Sequence, residues 1–228
     1  MADPKYVYVS SGTKTIKSET SDVYLVYSSG NLIVSSGGVA QVFVGYDLNK
    51  SGGYVEVRNG GRVHSGSVEN GGSLVVSEGG NVYNFIFGIG GNATLKKGAY
   101  CNSGRVGSGV NLYASGAEVN NTEVKLGGCL YLYADSTGGV VTPGTAGFTY
   151  VSSGGTMYVG SKVSAYYNSI SAGALAVVYG MVRSNFVGGN LIISSGGSAD
   201  ESFVSSGGYI YFSPSTTALM VTPQSMVR

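Results

Sequence analysis

Few residues of this 228-residue chain can do acid–base or nucleophilic chemistry. It has one histidine, His64, and two cysteines, Cys101 and Cys129. These cannot supply the usual ligands of a zinc site, and a Ser-His-Asp triad would need His64, which follows an inward valine and is predicted to point to solvent. Asp200-Glu201 is an adjacent acidic pair whose side chains would face opposite ways on a strand. We therefore expect no enzyme, no metal and no cofactor.

Tyrosine side chains on the surface offer recognition chemistry instead. Tyr113, Tyr131 and Tyr158 occupy the same outward position in successive sequence repeats, so they are predicted to stack as an aromatic ladder. A tyrosine presents a flat apolar face with a polar tip, which suits sugars and protein partners. We predict that these three residues form a binding site. The alternative is that the stacked rings only stabilise the sheet that carries them.

The tyrosines belong to a unit that recurs along the chain. Residues 31–38 (NLIVSSGG) return almost unchanged at 190–197 (NLIISSGG), with weaker copies between them. Most copies start about 19 residues after the previous one, and self-similarity at a fixed short period indicates a solenoid. The first apolar residues of the copies are Leu32, Val55, Leu74, Ala93, Leu112, Leu130, Met157, Leu175, Leu191 and Ile210. The predicted outward column is Ile33, Glu56, Val75, Thr94, Tyr113, Tyr131, Tyr158, Ala176, Ile192 and Tyr211.

Each unit reads as a short strand, a glycine turn and a second extended stretch. In residues 74–76, alternation puts Leu74 and Val76 on one face of the strand and Val75 on the other. The second stretch supplies two inward residues about five apart. These pairs are Val63/Val68, Val82/Phe87, Cys101/Val106, Val119/Val124, Val182/Val187 and Ala199/Val204. We predict an all-β fold, a single-stranded parallel β-helix of about ten coils, right-handed as parallel crossovers normally are. A sandwich of antiparallel hairpins is the structural alternative.

Composition limits the class of protein further. Glycine makes up 39 residues and proline only 4, while 43% of residues are hydrophobic and recur in phase, so the chain is neither collagen-like nor disordered. The net charge is +1 without a basic stripe, which makes nucleic acid an unexpected partner. No run of 18 apolar residues predicts a transmembrane helix, and residues 1–5 do not resemble a signal peptide. The two cysteines lie at different phases of the repeat, which favours two small buried side chains over a disulfide.

Three segments and two insertions organise the chain. Residues 1–30 are predicted to be irregular first coils or a cap, residues 31–212 the solenoid, and residues 213–228 a terminal cap or tail. The rhythm is broken at residues 45–50 and, more strongly, at residues 135–148. Insertions in solenoids form loops on the flank of the rod and often carry specificity, although a tolerated loop without a role is an equal alternative.

The Val-Ser-Ser-Gly-Gly turn at residues 151–155 and the related turns at 34–38 and 193–197 resemble the AIDA-type repeats of bacterial autotransporter adhesins. The resemblance covers about residues 6–212. It implies a right-handed β-helix passenger that is displayed on or shed from a bacterial surface, with roles in adhesion, self-association and biofilm formation. Some members of that family carry sugars on serine and threonine residues of the repeats. The visible departures are the missing export signal and membrane barrel and the richness in tyrosine.

The sequence thus favours a non-catalytic adhesin-like rod on the bacterial surface or in the medium. Its expected partners are glycans or proteins of host or bacterial surfaces, and self-association is a further expectation. The alternative function is a carbohydrate-binding or carbohydrate-active β-helix whose site lies near the insertion at residues 135–148.

Overall fold

The computed structural model describes residues 4–46, 51–214, 216–218 and 221–223. The chain winds into an all-β parallel solenoid whose coils pass through two sheets. An eleven-stranded sheet, here called the straight sheet, takes one strand from each coil. Its strands are Thr13–Ile16, Ser28–Val34, Gly52–Val57, Ser73–Val76, Asn92–Leu95, Asn111–Ser115, Cys129–Tyr133, Thr156–Val159, Leu175–Val178, Asn190–Ile193 and Tyr209–Phe212.

The second sheet, here called the bent sheet, has twenty strands because most coils contribute two short strands separated by a corner. Its strands are Tyr6–Val9, Glu19–Val26, Val39–Val44, Arg62–Val68, Asn81–Tyr83, Phe85–Phe87, Tyr100–Asn102, Arg105–Val106, Glu118–Asn120, Glu123–Val124, Thr145–Gly147, Tyr150–Val151, Ser164–Tyr166, Ser169–Ile170, Met181–Arg183, Phe186–Val187, Ser198–Asp200, Ser202–Val204, Thr217–Ala218 and Val221–Pro223.

Parallel register aligns like residues of successive coils. Leu112 pairs with Leu130, and Leu130 with Met157, so the inward side chains of the straight sheet form one buried column. The predicted inward pairs of the second stretch are confirmed as buried, except that Val204 in the last of them is half-buried. Apart from Val204, these residues belong to a single hydrophobic core that runs along the rod. The predicted parallel β-helix with a period near 19 is confirmed.

Two details of the repeat differ from the sequence prediction. The strand Thr13–Ile16 adds a coil before Leu32, so the described residues form about eleven coils, close to the ten predicted. In the coil after Met157 the inward residue is Ala176, because it pairs with Met157 and with Leu191. The prediction that Leu175 points inward and Ala176 outward was therefore wrong, and Val177 takes the outward position. Leucine is the more hydrophobic residue, but the register of the neighbouring coils decides which side chain enters the core.

The Gly-Gly turns have two different physical causes. In most pairs the first glycine takes a left-handed conformation, as Gly79 does with φ of 70°, which costs glycine little because it has no Cβ. The second glycine packs closely on the coil before it. A Cβ at Gly80 would overlap the carbonyl oxygen of Val57. The turn therefore needs conformational freedom at one position and the absence of a side chain at the next.

The corners of the bent sheet are made by residues other than glycine. In seven coils a residue with φ between 47° and 58° directly follows the first of the two short strands. Its backbone N–H donates to a carbonyl of the next coil in the first six of them, as Asn121 does to Gly147 at 2.9 Å. This corner column consists of Asn84, Ser103, Asn121, Phe148, Tyr167, Ser184 and Glu201.

Directly after the corner the chain turns inward, and the later coils place polar residues there. Thr149, Asn168, Asn185 and Ser202 are all completely buried. The Nδ2 of Asn168 donates to Oδ1 of Asn185 at 2.9 Å, and Nδ2 of Asn185 donates to Oγ of Ser202 at 3.2 Å. The Oδ1 of Asn168 accepts from the backbone N–H of Thr149 at 3.2 Å. This buried polar ladder links four coils inside a largely apolar core.

The described residues at the two ends of the chain and in the larger insertion belong to the same solenoid. Tyr6–Val9 pairs in register with residues 23–26, and Thr217–Ala218 and Val221–Pro223 extend the bent sheet. In the insertion at 135–148, a 3₁₀ turn at Thr137–Gly139 is closed by an antiparallel bridge between Asp135 and Thr142. Residues 47–50 of the first insertion lie outside the described residues. The division into a cap at 1–30, a solenoid at 31–212 and a tail at 213–228 stays a prediction.

Candidate binding surface

The three predicted tyrosines lie side by side on the outer face of the straight sheet. Parallel register pairs Tyr113 with Tyr131 and Tyr131 with Tyr158. The ring centroids of Tyr113 and Tyr131 are 5.0 Å apart with an interplanar angle of 14°. Those of Tyr131 and Tyr158 are 4.8 Å apart at 3°. The sequence therefore located a stacked ladder correctly, while its role in binding stays a prediction.

A fourth tyrosine, Tyr133, widens the ladder, and sequence reasoning missed it. It follows Tyr131 by two residues on the same strand, so both side chains point outward. Their rings are 6.2 Å apart and nearly parallel at 9°. The alternation Tyr-Leu-Tyr at residues 131–133 is the signal that could have found it. Tyr113 and Tyr133 are each 43% exposed, while Tyr131 between its neighbours is half-buried.

The ladder ends at Tyr113 beside a shallow cavity of about 310 Å³. Thr94 follows Tyr113 in the outward column towards the N-terminus, so the large ring gives way to a small side chain and leaves space. Asn92 and Asn111 also line this cavity. A flat ring next to amide and hydroxyl groups can stack on one part of a ligand and hydrogen-bond another.

Stacking also changes the ionisation of the ladder. Burial, followed by the nearby Cys129 thiol and Tyr158, raises the pKa of Tyr131 to about 12. Burial and the neighbouring Tyr113 and Tyr158 also raise the pKa of Tyr133. Tyr131 and Tyr133 consequently stay neutral at physiological pH and offer hydroxyl groups to a ligand, but no charge.

The cysteines have different surroundings. Both are free thiols: Cys101 is buried in the bent sheet, and Cys129 is half-buried in the straight sheet. Burial raises the pKa of Cys101 to about 12, with an opposing contribution from its hydrogen bond to Thr122. A thiol with such a pKa is not a nucleophile at neutral pH. Cys101 therefore acts as a small core residue, as its sequence position predicted.

The surroundings of His64 and of the pair Asp200 and Glu201 differ from the sequence prediction. His64 is half-buried and not fully turned to solvent, and its Nδ1 is covered without a hydrogen-bond partner among the described residues. Asp200 and Glu201 do not face opposite ways. Nε of Arg183 is 3.3 Å from Asp200 and 3.1 Å from Glu201. Glu201 is a corner residue with φ of 47°, so the strand alternation on which the prediction rested ends at Asp200.

Within the described ranges, no group of three or more His, Cys, Asp or Glu side chains is placed to hold a metal ion. The same part of the chain contains no helix that is long and apolar enough to cross a bilayer. The single carboxylate of the 135–148 insertion, Asp135, accepts a hydrogen bond from the backbone N–H of Thr137 at 2.8 Å. That bond lowers the pKa of Asp135 and holds the turn.

Comparisons with known proteins show the fold. No protein-family model matches the sequence, and no curated protein matches it. Among solved structures, the chain is similar to the TibC-catalysed, hyper-glycosylated fragment of TibA, with a TM-score of 0.61 and 23% sequence identity. The match covers 99% of this chain and 94% of that fragment. At this identity the similarity shows a shared β-solenoid over the whole described length.

Proposed function

We propose that this chain is a non-catalytic, adhesin-like rod, displayed on or released from a bacterial surface, that binds surface glycans or proteins through its tyrosine ladder. The observation that carries the proposal is the parallel stack of Tyr113, Tyr131 and Tyr158 on an outer sheet face. Exposed aromatic surface of this kind is a frequent mark of an interaction site. The resemblance of the repeats to AIDA-type adhesins and the solenoid shared with the TibA fragment support the same assignment.

The location of polar groups supports a ligand with hydroxyl or amide groups. The cavity beside Tyr113 is lined by Asn92, Thr94 and Asn111, which can donate and accept hydrogen bonds. A sugar ring has an apolar face for the tyrosine and hydroxyl groups for these side chains. A protein partner would meet the same surface with its own backbone and amide groups. A carbohydrate-active site at residues 135–148 lacks this support, since Asp135 is the insertion's only carboxylate and is engaged by Thr137.

The test is a binding screen of the purified chain against immobilised glycans, collagen, fibronectin and laminin. The ladder variant carries Tyr113→Ser, Tyr131→Ser and Tyr158→Ser. Tyr6→Ser is the matched control, because Tyr6 is an exposed tyrosine of the bent sheet, outside the ladder and its sheet. We expect the ladder variant to lose binding at least tenfold and the control to bind like the wild type.

Circular dichroism distinguishes a ladder that binds ligand from a ladder that only stabilises the sheet. A ladder variant that keeps its β spectrum and loses binding supports the proposal. Should that variant unfold, Tyr113→Ser alone gives the answer, since Tyr113 is the exposed end ring next to the cavity. Full binding by a folded ladder variant would show that the rings serve the sheet and that the proposed site is wrong.

A further inference from the structure

The corner column and its outer neighbours form a second surface, on the bent sheet and away from the tyrosine ladder. Two residues after each corner residue comes an outward residue, and parallel register aligns these as well. The two columns run side by side along the rod and are here called the corner strip. Its second column consists of Ile86, Arg105, Glu123, Tyr150, Ser169, Phe186 and Phe203.

The N-terminal half of the corner strip contains a polar cavity of about 350 Å³. Asn84, Ser103 and Asn121 line one side of it, and Ile86, Arg105 and Glu123 line the other. The side chains are held in place by their neighbours. Nδ2 of Asn121 donates to Oδ1 of Asn102 at 2.8 Å, and Nε of Arg105 donates to Glu123 at 3.2 Å. The cavity thus combines pre-arranged amide, hydroxyl, guanidinium and carboxylate groups with the apolar side chains of Phe85 and Ile86.

The C-terminal half begins one coil further on and is aromatic. Phe148 and Tyr167 follow Asn121 in the corner column, and their rings are 5.2 Å apart with an interplanar angle of 16°. In the second column, Tyr150 is exposed and Phe186 stacks on Phe203 at 5.6 Å and 21°. A row of hydrogen-bonding side chains therefore continues directly into a row of exposed rings.

The backbone conformation of the two corner residues Phe148 and Tyr167 is unfavourable for their bulky side chains, so folding by itself does not explain their presence there. Phe148 and Tyr167 have φ of 53° and 55°, a left-handed conformation that bulky side chains rarely adopt. The same column uses Asn and Ser in four other coils, and Asn tolerates this conformation well. Burial does not offset the strain, because Phe148 is 50% and Tyr167 56% exposed. Strained residues that stay exposed are typical of functional surfaces.

Charges along the corner strip are paired. Glu123 lies between Arg105 and Lys125, at 3.2 Å and 3.6 Å. Arg183, in the adjoining column, contacts Asp200 and Glu201. The first group has one positive charge in excess and the second one negative charge, so no single sign extends along the strip. A polyanion or polycation would find no complementary field there.

We propose that the corner strip binds a neutral oligosaccharide that lies along the rod. Its sugar rings stack on the ring faces that the Phe148/Tyr167 pair and Phe186, stacked on Phe203, leave free. Its hydroxyl groups bond the side chains of the 350 Å³ cavity. Neutral sugars match this surface because they combine apolar ring faces with many hydroxyl groups and carry no charge. This site is independent of the tyrosine ladder, which lies on the other sheet.

The test uses the purified chain on an array of immobilised neutral oligosaccharides, with sialylated, uronate and sulfated chains on the same array. The loss variant is Phe148→Asn with Tyr167→Asn, which installs the residue that the chain itself uses at corners 84 and 121. The matched control is Phe148→Tyr with Tyr167→Phe, which keeps both rings. Tyr131→Ser reports on the tyrosine ladder separately.

We expect the wild type to bind neutral chains and the loss variant to bind them at least tenfold more weakly. The ring-preserving control should bind like the wild type on this array. Chains whose binding falls in Tyr131→Ser but not in the loss variant belong to the tyrosine ladder and not to the corner strip. The Tm of the loss variant should equal or exceed that of the wild type, because asparagine relieves the strained corners. The proposal is wrong if the wild type binds only acidic chains or none, if the loss variant binds normally, or if its Tm falls.

Discussion

Tyr131 shows how stacking at one residue connects packing with ionisation. Its half-buried position in the ladder raises its pKa to about 12, whereas an unfolded tyrosine titrates near 10. Between these two values the unfolded chain loses the proton and the folded chain keeps it, so the free energy of unfolding falls as pH rises. We expect Tyr131→Phe to flatten this fall. Urea unfolding at pH 9, 10 and 11 measures it, and equal slopes for both proteins would contradict the raised pKa.

The same residue should contribute to stability through its ring. Tyr131 stacks on Tyr113 and Tyr158, and each such contact contributes about 0.5–1.5 kcal/mol beyond burial. We therefore expect Tyr131→Ser to lower the free energy of unfolding by about 1–3 kcal/mol. The exposed Tyr179→Ser should change it by less than about 0.5 kcal/mol. Denaturant titration followed by circular dichroism checks both values. Similar losses in the two variants would contradict a contribution of ring stacking to the free energy of unfolding.

At the scale of the element, the corners of the bent sheet depend on the buried polar ladder behind them. Asn185 accepts hydrogen bonds from Nδ2 and the backbone N–H of Asn168 and donates to Ser202. Asn185→Ala would leave buried donors unpaired and open a small void, which should cost about 2–4 kcal/mol. Ser202→Ala removes one acceptor at the end of the ladder and should cost about 1–2 kcal/mol.

Thermal and urea unfolding of both variants measure this difference. Asn185→Val is an informative companion, because it fills the space without restoring the hydrogen bonds. If the void dominates, valine should recover most of the loss. If the unpaired donors of Asn168 dominate, valine should be about as unstable as alanine. Equal stability of Asn185→Ala and the wild type would show that the ladder contributes nothing to the free energy of unfolding.

Sequence reasoning reached some elements and missed others for physical reasons. The strands and the Gly-Gly turns could be predicted, because both need residue types that recur at a fixed phase. The corner column could not be predicted, because the left-handed corners are made by Asn, Ser, Glu, Phe or Tyr and no single residue type recurs at that position. Missing the corner also produced the wrong expectation for Asp200 and Glu201. The prediction that Leu175 points inward was wrong for a related reason, because hydrophobicity alone does not set the register.

At the scale of the whole molecule, an elongated solenoid must limit pairing at its sheet edges. In the described chain, Thr13–Ile16 is the first strand of the straight sheet, and Lys14 stands in register with the buried Leu32. Lys14 is exposed, with its Nζ 5.4 Å from the ring centroid of Tyr24. A charged residue at an otherwise apolar inward position opposes edge-to-edge association. This strand therefore continues the backbone pattern of the sheet while placing a charge in its inward column.

We expect Lys14→Leu to promote self-association of the purified chain through this edge. Burying one added leucine contributes about 1.5–3 kcal/mol, which corresponds to roughly a tenfold or greater rise in the association constant. Lys17→Leu is the matched control, because Lys17 is exposed just after the strand and outside the inward column. Sedimentation velocity over a concentration series measures both variants. If Lys14→Leu stays monomeric, or if both variants associate equally, Lys14 does not oppose association through this edge.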